Sequence, residues 1–154
     1  MGWAVVSPGA FAVKKSFLLS CGLYDEKLKY AENTELFFRF KNKNPVLAYT
    51  YKFDLKYYPS ENGGSKNIEN RFNSNLYLLI KHARWFDEKP KDKFVYFNLL
   101  VVDGIELKEY KTALNFLFKS IRMMPLYFKN YFRLIQLFYN YIKTDFLSVT
   151  QTKQ

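Results

Sequence analysis

The segment Pro59-Ser60-Glu61-Asn62-Gly63-Gly64-Ser65 separates two apolar rhythms, and that change of rhythm limits what the chain can fold into. A cluster of Pro, Gly, Ser and Asn stops helices and strands alike. Beyond it, apolar residues return at the 3.6-residue period of a helix buried along one side. Ile68, Phe72, Leu76, Leu79, Ile80, Ala83 and Phe86 fall on one helical face. Lys89-Pro90-Lys91-Asp92 reads as a turn, and the spacing predicts helices over 93–106 and 109–123. The second keeps Tyr110, Ala113, Leu114, Leu117 and Ile121 on one side; Pro125 then breaks the chain before a last helix over 126–143. Residues 144–154 read as a flexible tail.

Upstream of the break the pattern is mixed. Gly9-Ala10-Phe11-Ala12-Val13 is short, apolar and preceded by Pro8, as a buried strand would be. Ser16 to Cys21 predicts a short helix closed by Gly22, a residue that tolerates a left-handed C′ position. Glu32 to Lys41 predicts a helix with acids at its start and Arg39 and Lys41 at its end, matching the macrodipole. Residues 46–51 and 53–58 read as strands. The expected fold class is therefore α/β over 1–65, followed by an α-helical hairpin extension over 66–143.

Lys and Arg number 24 against 14 Asp and Glu, giving a formal charge of +10, and aromatic residues make up 20% of the chain. Such a chain suits nucleic acid, anionic membrane or acidic partners. The excess is +3 over residues 1–65 and +7 over 66–143, spread without a dense basic arm. With no RNP-like motif, zinc site or clustered basic helix, nucleic acid ranks last among these partners. No apolar run approaches the roughly 20 residues that span a bilayer, and the single cysteine, Cys21, suits a reducing compartment. These features predict a cytoplasmic protein, peripheral to the inner face of a membrane if the last helix lies on it. That helix holds Tyr127, Phe128, Tyr131, Phe132, Phe138, Tyr139 and Tyr141 with Lys129, Arg133 and Lys143, too many aromatics for one core-facing stripe. It suits a membrane-interface helix, and equally one buried on two sides or docked on a partner.

Candidate chemistry is sparse. Glu32 and Glu35, three apart at a helix start, share a face and would serve either as dipole partners or as a base for a hydroxyl. His82 is the only histidine, without ligands at metal spacing. No GxGxxG, GxxxxGK[ST] or Asp-x-Asp occurs.

Pro8-Gly9-Ala10-Phe11-Ala12-Val13-Lys14-Lys15, Gly22-Leu23-Tyr24-Asp25-Glu26, and Glu32-Asn33-Thr34-Glu35-Leu36 with Arg39 occur in that order. Together they resemble the C-terminal part of family 2 glycosyltransferases of the GT-A fold. The resemblance implies transfer of a sugar from a nucleotide-sugar to a glycan or lipid-linked acceptor hydroxyl, with a divalent metal (Mg or Mn) in the complete enzyme. It implies Glu32 as candidate base, since Asn33 stands at the usual Asp position, and Trp3, Gly9, Ala10, Glu35 and Arg39 around the acceptor. Glu35 alternatively pairs with Arg39 at i+4. The donor half would lie upstream of Met1, so the resemblance predicts an inactive fragment with no cofactor of its own. Residues 93–125 resemble a tetratricopeptide hairpin. The alternative expectation is a non-enzymatic helical module that binds a protein partner or an anionic membrane surface.

Overall fold

A computed structural model describes residues 11–48, 56, 58 and 66–151, with side chains through Lys143. Every regular element among these residues is helical: α1 (Lys15–Ser20), α2 (Glu32–Asn42), α3 (Ile68–Lys81), α4 (Ala83–Glu88), α5 (Pro90–Glu106), α6 (Tyr110–Met123) and α7 (Lys129–Gln151). The expected α/β class is overturned, and with it the GT-A glycosyltransferase resemblance, because a nucleotide-sugar transferase layer is carried by strands. Phe11 to Val13, Val46 to Ala48, Lys56 and Tyr58 are described and form no strand; the other positions of the expected strands, and the Pro59–Ser65 break, lie outside the described residues. The apolar run at 11–13 has another use. Phe11 and Val13 pack, without pairing, onto the core that α2 provides. Short apolar runs carry no information on which of these outcomes burial will take.

The chain divides into two compact units within α3, at Ser74 and Asn75. In the first unit, Cys21, Leu36 and Phe40 are buried, with Phe11, Phe17, Leu18 and Phe37 against them. Rings stack edge-on or tilted along this core: Phe11 to Phe37 at 5.1 Å, Phe37 to Phe40 at 5.5 Å and Phe17 to Phe40 at 5.0 Å between centroids. Such offset arrangements satisfy the ring quadrupoles. α1 ends in a Schellman motif. The Gly22 N–H donates to Leu19 O at 3.0 Å and the Leu23 N–H to Leu18 O at 3.3 Å. Gly22 sits at φ +86°, where a residue without Cβ carries no steric cost.

The second unit is built on the α5–α6 hairpin. Phe97, Leu100, Val101 and Ile105 of α5 meet Ala113, Phe116 and Leu117 of α6, and all are buried. Pro90 opens α5 at its first turn, where the missing N–H is harmless, so the expected turn over 89–92 shrinks to Lys89. The single helix expected over 68–86 is interrupted at His82 (φ −112°, ψ 34°), and Ile80, assigned to its buried face, is exposed. α7 starts three residues later than expected and runs on to Gln151.

A closed polar network joins α5, α6 and α7. Ser120 Oγ, fully buried, accepts from Asn98 Nδ2 at 2.8 Å and from Asn130 Nδ2 at 2.9 Å. Arg133 Nη1 donates to Asn98 Oδ1 and, at 3.4 Å, to Asn130 Oδ1. Ser120→Ala takes the acceptor from the buried Asn130 amide and leaves Asn98 Nδ2 only the Phe94 carbonyl, at 2.9 Å, so it is expected to cost about 1–2 kcal/mol in urea unfolding. A loss below about 0.5 kcal/mol would mean that the amides find other acceptors.

Candidate functional site

The residues singled out by sequence fall into two groups. Trp3, Gly9 and Ala10 lie outside the described residues. Glu32, Asn33, Glu35 and Arg39 come together on α2. Glu32 is half-buried in the first turn, where a carboxylate complements the helix dipole. Asn33 is buried, and its Oδ1 accepts from the Tyr24 hydroxyl at 3.0 Å.

Glu35 is fully buried and takes both its oxygens to Arg39: Nε reaches Oε1 at 3.0 Å and Oε2 at 2.9 Å, and Nη2 reaches Oε2 at 2.6 Å. The remaining donors of Arg39 go to the Cys21 and Leu23 carbonyls at the end of α1. This is a fold clamp. The guanidinium fork holds a carboxylate on its own helix and the terminal carbonyls of another, a task that matches its planar donor geometry. Among the described residues no group of three or more His, Cys, Asp or Glu could hold a metal ion.

The surface feature that stands out is on α7. Phe128, just before the helix, and Tyr131, Phe132, Ile135, Phe138, Tyr139 and Ile142 within it are all exposed, Phe128 and Phe132 each at 71%. Their spacing (3, 1, 3, 3, 1, 3) puts them on one side of the helix, over roughly a third of its circumference and about 20 Å of its length. The opposite side is already used. Asn130 and Leu137 are buried, and the ring of Tyr141 meets Tyr110 edge-on at 5.8 Å. α7 is thus apolar on two faces, one packed on α6 and one open.

Single exposed hydrophobics are ordinary on protein surfaces; seven large ones in a continuous stripe are not. The charge around them is one-sided. From Tyr110 to Thr144 there is no Asp or Glu, while six Lys and Arg occur. Lys129 and Lys143 are exposed; Arg133 is held inward by Asn98 and Asn130. No helix among the described residues is long and apolar enough to cross a membrane.

Comparison with known family models, with curated proteins and with solved structures finds no match. Neither the glycosyltransferase resemblance nor the tetratricopeptide resemblance of 93–125 gains support there. Sequence reading found the aromatic excess of the last helix but not which side stays open, because that depends on where α6 packs.

Proposed function

We propose that this chain is a non-enzymatic helical module that docks on an anionic membrane surface through the open face of α7. The observation that carries this reading is the exposed Phe, Tyr and Ile stripe in a stretch of chain holding cations and no acids. Phe and Tyr rings settle at the headgroup boundary, while Lys129 and Lys143 meet lipid phosphate at about 1 kcal/mol each. A second copy of the same face is a poor occupant. Over the stripe, from Phe128 to Lys143, the charged residues are all Lys or Arg, so two copies of this face would bring like charges together there.

The test is co-sedimentation with vesicles of phosphatidylcholine alone or mixed with phosphatidylglycerol. Binding to the mixed vesicles alone, weakening as salt rises, is the expected result. Equal binding to both compositions, or none to either while a protein partner captures α7, would contradict it.

A further inference from the structure

A second surface lies elsewhere in the second unit and needs a different ligand. Residues of α3, α4, α5 and α6 enclose an open groove of about 730 Å³. Its floor is apolar: Leu79, Phe86, Phe97 and Phe116 line it, and all four are buried. Ile80, also in the lining, is 70% exposed.

The rim is basic. Lys93 lies 2.6 Å from Asp87 Oδ1, so that cation is already matched. Lys119 and Arg122, three apart on α6 and both exposed, have no carboxylate partner among the described residues. Lys119 Nζ stands 5.0 Å from the centroid of the Phe116 ring, which holds a positive charge directly over the apolar floor.

We propose that this groove binds a single-chain anionic amphiphile, with the alkyl chain on the phenylalanine floor and the phosphate or carboxylate head between Lys119 and Arg122. Size favours this occupant over a peptide helix. The volume is that of a small-ligand pocket. The α3–α4 and α6 walls, Leu76 to Ala83 and Phe116 to Met123, each run about two helical turns, roughly 10 Å. A docked amphipathic helix would sit on a standard interface of about 800 Å² per partner, more than a groove of this length and volume offers. The groove does not depend on the α7 reading, since its lining contains no residue of α7.

The experiment is calorimetric titration of the full chain, without vesicles, with monomeric dodecyl phosphate and with dodecyltrimethylammonium as the cationic control. Dodecyl phosphate is expected to bind saturably and at least about tenfold more tightly than the ammonium compound. Lys119→Glu combined with Arg122→Glu should reverse that preference, an outcome that loss of folding would not produce. The α7 substitution Phe132→Glu should leave dodecyl phosphate binding unchanged, which separates this site from the membrane face. Equal affinity for the two amphiphiles, an unreversed preference in the double variant, or binding of an acidic amphipathic peptide instead of dodecyl phosphate would overturn the assignment.

Discussion

Phe132→Glu combined with Phe138→Glu is expected to abolish binding to anionic vesicles while leaving helix content and the unfolding midpoint within error of the parent. Both rings are exposed, at 71% and 50%, and neither makes a ring contact among the described residues. The free protein therefore loses little, as surface changes away from packed features usually stay within about 0.5 kcal/mol. The bound state loses much more. Each ring withheld from the bilayer removes about 1.5 kcal/mol or more of apolar burial, and each new carboxylate meets a negative surface. Together these exceed about 3 kcal/mol, more than a hundredfold in affinity. Phe132→Leu with Phe138→Leu should retain most binding, since apolar area and not ring identity supplies the energy. If the glutamate variant still co-sediments within threefold of the parent, the stripe is not the docking face.

The second large effect is in the other unit. Glu35→Ala is expected to destabilise it by about 3 kcal/mol or more, because the guanidinium of Arg39 is left without the carboxylate that balances it. Arg39 is itself only 20% exposed, and its other donors tie the end of α1 to α2. Glu35→Gln keeps one acceptor and should cost less. Among the described residues the cluster beside this clamp is small, with Cys21, Leu36 and Phe40 buried, and has little with which to absorb the loss. Limited proteolysis within residues 15–42 should therefore accelerate sharply in Glu35→Ala while the α5–α6 hairpin stays protected. An unchanged cleavage rate would show that the clamp contributes little.

The legible parts of the fold were those written in one helix. The Glu35 and Arg39 spacing, the glycine at the end of α1 and the apolar face of α6 are local patterns, and the structure contains each of them. What misled was the short apolar run. At 11–13 and 46–48 the residues suit strands, but strand propensity expresses itself only against a pairing neighbour, and none is present among the described residues. Val46 there is fully exposed.

The break at His82 was hidden because the apolar positions continue across it, from Leu79 to Ala83 and Phe86. The two surfaces differ in the same way. Aromatic crowding on α7 was visible, yet its open side is defined by α6. The groove was invisible because its walls come from four helices, with Lys119 and Arg122 reading simply as ordinary exposed cations on α6.

In the proposed membrane-bound state, the face of α7 centred on Ile135 enters the lipid interface. An environment-sensitive fluorophore on Ile135→Cys, in a Cys21→Ser background, reports this directly when compared with the same label on Gln136→Cys, 100° round the helix. With anionic vesicles the label at 135 is expected to shift to the blue and to be quenched by bilayer-embedded nitroxide, while the label at 136 keeps a largely aqueous spectrum. A label at 135 that stays aqueous on vesicle-bound protein would contradict it.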